Sequence, residues 1–270
     1  MKAIGKIDVV LLTKNSVKPC LKECLESIYA NVPVNRLIVV DGGSSDDTLD
    51  VVQQYSNVKI IDDSNGTRAT ARQKGIEAVE TPWHLHVDSD VVLCKDWFKK
   101  AIKWIDENVG AIWGVAIPIE PNTWAVTKAM SKFYHMSIRD VLLRPSRYMT
   151  HDTLFRTDAL KDIKIPRDLI VWEDDYIGRH VIKKGYRFLK VKDPYCIHYV
   201  SERKEDTEIL NGYIIHKYKI WSPNKIFLFF ILAVPRSIGI FLYTGNFKAA
   251  KKHLLNSILI TKGWLIYVSR

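Results

Sequence analysis

Val79–Val92 reads VETPWHLHVDSDVV, a stretch in which alternating apolar residues (Trp83, Leu85, Val87) run into two acids one residue apart, Asp88 and Asp90. Alternation with period two predicts a strand. Acids at its carboxyl end would face the crevice where open α/β sheets bind ligands. Two hard oxygen donors that close suit Mg²⁺ or Mn²⁺, and such an ion in turn suits a diphosphate. By itself a D-x-D is usually a polar turn after a strand, so its surroundings decide.

Working outward, apolar runs at Lys6–Leu12, Arg36–Val40 and Val58–Ile61 predict three more strands. Between them, Val17–Ala30 carries Leu21, Leu25 and Ile28 at helical spacing, and Arg68–Ala78 predicts a second helix. The second strand stops at Asp41-Gly42-Gly43-Ser44-Ser45-Asp46-Asp47-Thr48. Glycines there permit a tight turn, Ser44 or Ser45 can cap the following helix to about Tyr55, and acids suit its first turn. Strand and helix alternate with short connections, the pattern of a parallel sheet covered on both faces. Downstream, Trp97–Asn108 and Asn122–Leu143 read as helical, Ala111–Ile117 and Thr153–Phe155 as strands, and Glu173–Lys184 as a helix ending at Gly185. Phe188–Val191 and Tyr195–Tyr199 read as two further strands.

The chain has 270 residues, 47% hydrophobic and 26% charged, enough for one large domain with a core or a domain with an appendage. Its four cysteines form no C-x-x-C pair and read as reduced, packed thiols. The opening MKAIGKIDVVLLTKN lacks the long apolar core and cleavage site of a signal peptide. The net charge of +10 is uneven: residues 1–208 hold 31 of the 40 Lys and Arg and all 30 acids, while 209–270 hold nine cations and no acid. That asymmetry calls for an anionic surface, membrane or nucleic acid.

Several local motifs have a plain and a chemical reading. Asp41 ends one strand as Asp88 ends another, so both can point into one crevice, although the Asp41 loop is also a good turn-and-cap sequence. Arg68 and Arg72, four apart, form either a solvated basic face or a pair of forks aimed at phosphate. His84-x-His86-x-Asp88 lies on one strand face, with packed histidines favoured over a zinc site. Trp172-Glu173-Asp174-Asp175 opens a helix, where acids suit the dipole, yet crowding can raise the pKa of one of them and poise it as a base. His198 on an apolar strand would by itself be a core histidine.

The segments VVLLTKN, LIVVDGGSSDDT, ARQKGIEA, HVDSD, WEDD followed after nine residues by GYR, and DPYCIH occur in the order and spacing of family 2 glycosyltransferases with the GT-A fold, which residues 6–200 resemble. The resemblance implies an α/β fold of the nucleotide-diphospho-sugar transferase type, with a mostly parallel central sheet flanked by helices. It implies that Thr13, Asn15, Asp41 and Asp46 line the nucleotide pocket together with Asp88, and that Arg68 or Arg72 approaches the diphosphate. Asp88 and Asp90 would hold Mg²⁺ or Mn²⁺, with His198 a further ligand, and Asp174 would be the catalytic base. The chain departs from the family pattern at Lys14, at Gln73, at the third acid Asp175, and at His151-Asp152-Thr153, where the family has a small glycine-rich stretch.

In the last quarter, Ile226–Tyr243 is 18 residues long, about 27 Å as a helix and close to a bilayer core. Pro235-Arg236 interrupts it, and a central Arg costs about 2.5–3.5 kcal/mol on the insertion scale, so a bent or in-plane helix pair is expected. Phe247, Ala250, Leu254, Ile258 and Leu265 share one face of a following amphipathic helix. Trp221, Trp264, Tyr243 and Tyr267 suit a headgroup belt, and the long aliphatic runs argue against nucleic acid.

The expectation is therefore a metal-dependent, inverting hexosyltransferase with a catalytic domain at 1–208 and a basic, apolar helical segment at 209–270. It would work at the cytoplasmic face of the cell membrane. A UDP- or GDP-linked sugar would be the donor, and a lipid-linked or polyprenyl-phosphate acceptor the partner. The rival readings are an inactive membrane-bound sugar-nucleotide binder and a nucleotidyltransferase.

Overall fold

In a computed structural model, which describes residues 4–143, 147–199 and 205–268 (side chains to 266), the apolar runs become an eight-stranded sheet. The chain order is β1 (Ile7–Thr13), α1 (Leu21–Asn31), β2 (Val34–Asp41), α2 (Thr48–Gln53), β3 (Val58–Asp62), α3 (Arg68–Glu77), β4 (Trp83–Asp88), β5 (Val91–Leu93), α4 (Trp97–Ala101) and β6 (Val109–Pro118). It continues with α5 (Pro121–Phe133), α6 (Ile138–Leu142), β7 (Asp152–Arg156), α7 (Glu173–Lys183) and β8 (Arg187–His198). Four helices follow: α8 (Glu205–Lys217), α9 (Pro223–Ile231), α10 (Ala233–Thr244) and α11 (Phe247–Val268).

The strand order is β3-β2-β1-β4-β7-β6-β8-β5. The first four are mutually parallel, and β7 then joins β4 antiparallel. Register sets the site: Thr13 lies opposite Asp41, Leu12 opposite Asp88, and Asp41 opposite Asp62, so polar residues end adjacent strands along one edge. β1 lies between β2 and β4, which makes this a switch point of the kind where α/β sheets bind ligands. At the opposite edge, fully buried Asp8 accepts from Arg36 at 2.7 Å, Asn35 at 2.9 Å and the Glu80 amide at 2.8 Å. That carboxylate thereby ties β1, β2 and the lead into β4 together. Helix α3 packs close over β1, because a Cβ on Gly75 would meet Val10 Cγ1 at 2.5 Å.

The second half of the sheet differs from the sequence reading in detail. Phe188–Val191 and Tyr195–Tyr199 are not two strands but one, β8. Short β5, absent from the expectation, pairs with β8 only at Cys196–His198, so no ladder bond to β5 is asked of Pro194, which has no N–H to give. The helix expected over Trp97–Asn108 ends at Ala101 and tightens into a 3₁₀ turn at Ile102–Trp104.

The chain divides into two compact units, one of residues 1–117 with 143–199, the other of 118–142 with 200–270. The second unit thus draws on α5 and α6 as well as the C-terminal helices. Within it, Ala125 and Ala129 of α5 pack with Ile240 of α10 and with Ala249 and Ala250 of α11. Helices α8 and α11 meet through glycines: a Cβ on Gly263 would run into the Ile209 carbonyl, and one on Gly212 into the Ile260 carbonyl.

No single described helix is long and apolar enough to cross a membrane, but α9 and α10 together pass that test, bent by 42° at their junction. The break falls at Leu232, three residues before the proline expected to cause it. Pro235 cannot donate to the carbonyl of Ile231 and its ring crowds that group, so α9 stops there and Pro235 sits in the first turn of α10. Phe227, Leu228, Phe230, Ile231, Ile238 and Leu242 are all exposed. On α11 the expected stripe splits: Phe247, Ile258 and Leu265 are exposed, whereas Ala250 is buried with Ala249, Ser257 and Gly263. The side chain of Tyr267 lies outside the described residues.

Candidate active site

At the carboxyl ends of β1 and β2, Asp41 organises the loop that the sequence marked. Its Oδ1 accepts from Thr13 Oγ1 at 2.8 Å and Ser44 Oγ at 2.6 Å, and its Oδ2 from the amides of Gly43 at 3.0 Å and Ser44 at 2.7 Å. Burial pushes the Asp41 carboxyl up, but these donors, Ser44 first, outweigh it and hold the group below the usual range. Ser44 is therefore committed to Asp41 and does not cap α2. The first turn of α2 is served instead by Asp46, which accepts from the amide and hydroxyl of Thr48. Asn15, with φ of 50°, receives the Ser45 amide on its side-chain oxygen at 2.8 Å and gives its own amide to Ser44 Oγ at 2.9 Å. Thr13, Asn15, Asp41 and Asp46 thus form one hydrogen-bonded rim.

Asp88 ends β4 beside this rim. Arg72, buried on α3, donates to Asp88 Oδ1. Burial opposes ionisation of Asp88, yet the Arg72 charge wins and keeps its carboxyl below the ordinary value. Of the two expected phosphate forks, Arg72 is turned onto Asp88, and Arg68, one turn earlier, is exposed. Asp90 and His198 face each other, Oδ1 to Nε2 at 3.4 Å, both partly open. One oxygen and one imidazole nitrogen at that separation fit cis ligands of a single divalent ion, but among the described residues Asp88 does not join them in one group of three ligand atoms within 4.8 Å. His84 and His86 are fully buried; burial lowers the first to about 3 and the second well below its ordinary value, so they are neutral packed histidines.

Helix α7 brings the acids. Trp172 precedes it with φ of 71°, a left-handed conformation rare for a large side chain and a mark of local strain. Glu173, Asp174 and Asp175 are all buried. Each acid has a different environment. Burial, and then the neighbouring Asp174 charge, push Glu173 up to about 7, against the pull of Arg68 and Arg72. Asp174 Oδ1 accepts the Asp175 amide at 2.8 Å, while Oδ2 lies 3.5 Å from the Arg147 guanidinium. Asp175 is structural: Oδ1 accepts the Tyr148 amide at 3.1 Å and Oδ2 pairs with Arg179 Nε at 2.5 Å. Arg72 feels the charges of Asp88, Glu173 and Asp174 together, which joins the α7 acids to the β4 end electrostatically.

Sequence reasoning missed Arg147, which sits in irregular chain before β7 with no periodic signal. The role of His151-Asp152 was also illegible. Among the described residues, His151, Asp152 and Cys196 bring three ligand-type atoms within 4.8 Å of one another, all buried. Asp152 Oδ2 accepts from Trp97 Nε1 at 3.2 Å, and His151 Nδ1 lies 2.9 Å from Asp152 Oδ1, too bent for a hydrogen bond. The His151 ring packs 5.1 Å from His198, so the cluster backs the Asp90–His198 pair.

Residues 8–164 match the family described as "Glycosyl transferase family 2". The minor teichoic acid biosynthesis protein GgaB of Bacillus subtilis is 26% identical over 200 residues, 68% of this chain and 22% of GgaB. The poly(ribitol-phosphate) beta-N-acetylglucosaminyltransferase TarS of Staphylococcus aureus is 26% identical over 222 residues, 77% of this chain and 38% of TarS. The chain thus spans well under half the length of these relatives. Among solved structures, the mannosyltransferase PcManGT of Pyrobaculum calidifontis, in complex with GDP-Man and Mn²⁺, aligns with a TM-score of 0.66 at 16% identity, over 99% of this chain and 88% of that one. S. aureus TarS 1-349 in complex with UDP-GlcNAc aligns with a TM-score of 0.57 at 18% identity, over 98% and 92%. These likenesses establish the GT-A fold.

Proposed function

Because the chain belongs to glycosyl transferase family 2, we propose that it moves a sugar, with inversion, from a UDP- or GDP-linked donor to a lipid-linked or phosphate-bearing acceptor at a membrane surface. The observation that carries this reading is the register that sets Thr13, Asp41 and Asp88 on adjacent parallel strand ends. The acids of α7 are tied electrostatically to the same edge through Arg72. In this reading the Thr13–Asp46 rim takes the nucleoside, and exposed Arg68 meets the diphosphate. A divalent ion held by Asp90 and His198 would neutralise charge on the leaving diphosphate.

Asp174 Oδ2 takes the proton of an acceptor hydroxyl as that oxygen bonds the anomeric carbon. The bond from that carbon to the diphosphate oxygen breaks, and its electron pair leaves with the nucleoside diphosphate. Where the nucleophile is already a phosphate oxygen, Asp174 orients rather than deprotonates. Support for an anionic acceptor comes from relatives whose names point to teichoic acid and poly(ribitol phosphate). Support for the membrane comes from the exposed apolar face of α9 and α10, combined with nine cations and no acid over 209–270.

A panel of UDP- and GDP-sugars incubated with a membrane lipid extract and Mn²⁺, read by product mass, tests this. A sugar-bearing product whose formation stops in excess chelator is expected. With pyrophosphate added, conversion of the nucleotide sugar to nucleoside triphosphate and sugar 1-phosphate, with no sugar-bearing lipid, would overturn it in favour of a nucleotidyltransferase.

A further inference from the structure

The chain entering β7 places a cation where the proposed base must work. Arg147 stacks its guanidinium 4.8 Å from the centre of the Trp172 ring, points one terminal nitrogen at Asp174 Oδ2 from 3.5 Å, and sets Nε 3.1 Å from Met149 Sδ. The backbone beside it is pinned, because the Tyr148 amide is held by Asp175, itself paired with Arg179. The Arg147 side chain is held more weakly, by a stacking contact, a sulfur contact and an ion pair too long for a hydrogen bond. Lys190 adds a second cation, with Nζ 3.3 Å from the Arg147 carbonyl and 4.9 Å from the Tyr148 ring centre.

Both oxygens of Asp174 are therefore engaged, and the two partners differ. Oδ1 is locked by the helix amide of Asp175, whereas Oδ2 is covered only by the loose guanidinium. A hydroxyl that is to lose its proton to Oδ2 must displace Arg147. An uncharged acceptor gives the guanidinium no new partner. A phosphate or phosphodiester does, since its oxygens match the guanidinium fork better than one long contact to a carboxylate.

We propose that Arg147 is the acceptor's phosphate-binding residue, and that it swaps from Asp174 Oδ2 onto a phosphate carried next to the attacked hydroxyl. The acceptor class is thus a polyol phosphate or phosphodiester, and the same movement that binds it uncovers the base. This rests on the reading of Asp174 as base in sugar transfer. Trp172, held in its left-handed backbone conformation, is the platform over which the guanidinium slides.

The test is a binding cycle on the full chain, with glycerol 3-phosphate as probe and glycerol as control, followed by calorimetry or ³¹P NMR. Arg147 cannot serve Asp174 and phosphate together, so Asp174→Asn, which weakens its hold, should bind glycerol 3-phosphate more tightly by about fivefold or more. Arg147→Gln should weaken binding by roughly tenfold, and Arg147→Lys, which keeps the charge and loses the fork, should fall between. In the double variant the gain from Asp174→Asn should vanish. Unchanged or weaker binding in Asp174→Asn would overturn the proposal, as would equal binding by wild type and Arg147→Gln, or by glycerol and its phosphate. Should Arg147→Gln fail to fold, Asp174→Asn and Arg147→Lys carry the same contrast. Because the readout is binding, an enzyme that turns over no nucleotide sugar would defeat the transferase reading while leaving this cycle interpretable.

Discussion

Replacing Glu173 by Gln tests the electrostatics of the α7 acids without touching the base. Glu173 is 5% exposed, and burial with the adjacent Asp174 charge lifts it from an ordinary 4.5 to about 7. The native carboxyl holds its proton more tightly than the unfolded one. Ionisation therefore disfavours the folded state, and stability declines as pH rises from about 4.5 through about 7, then levels off. At about 1.4 kcal/mol per pKa unit, the full cost of ionised Glu173 is about 3 kcal/mol, of which about 2 kcal/mol develops between about pH 5.5 and about pH 8.5. Gln has nearly the same shape and does not titrate. Urea unfolding of wild type and Glu173→Gln, followed by circular dichroism at those two pH values, should show the variant gaining on wild type by that amount at the alkaline end. Parallel stabilities at both pH values would refute the reasoning and leave Glu173 an ordinary carboxylate.

Three further outcomes are expected. Asp90→Asn should weaken nucleotide-sugar binding measured with Mn²⁺ and abolish transfer while the circular dichroism spectrum stays native; activity that persists in excess chelator would remove Asp90 and His198 from the mechanism. Asp174→Asn should lower turnover at least about a hundredfold with donor affinity little changed, since the group acts in the transition state, whereas Asp175→Asn should chiefly cost stability, about 1–3 kcal/mol, because its one acceptor oxygen can keep the Tyr148 amide but not the charge pair with Arg179. Gly263→Ala drives a methyl group into the Ile209 carbonyl and should destabilise the α8–α11 pair by about 1–3 kcal/mol, read as a lower thermal midpoint.

The parallel half of the sheet was legible because its signals are local. Each strand is a short apolar run closed by a polar turn, and Asp41 and Asp88 mark the ends that register then aligns. The antiparallel half was less legible, because β5 has only three residues, too few for alternation to show, and the direction in which β7 joins β4 leaves no periodic trace. The D-P pair inside β8 even reads as a strand break, yet β8 runs through it from Arg187 to His198. At the site, the sequence named the acids but could not assign their states. That Glu173 is the raised carboxyl depends on its burial beside Asp174, and that Asp175 is bound up in structure and Arg147 stands over Asp174 depends on contacts between α7 and chain some 25 residues earlier. On α11 the sequence favoured a stripe of large residues, but glycine-mediated contact with α8 buries small ones instead.

The packing of α5 against α10 and α11 also bears on how the chain is made. A ribosome releases Ala125 and Ala129 long before their partners Ile240, Ala249 and Ala250. Some 120 residues separate Ala129 from Ala249, so at 5–20 residues per second the apolar face of α5 waits for roughly 6–25 s before it can be covered. The first unit has all of its own chain once residue 199 is made, some 50 residues before Ala249, whereas the second cannot close until then. A nascent chain stalled between residues 199 and 233, or a gene cut there, completes the sheet but leaves the partners of α5 unmade, and aggregation or chaperone capture should persist at those lengths although every strand is present.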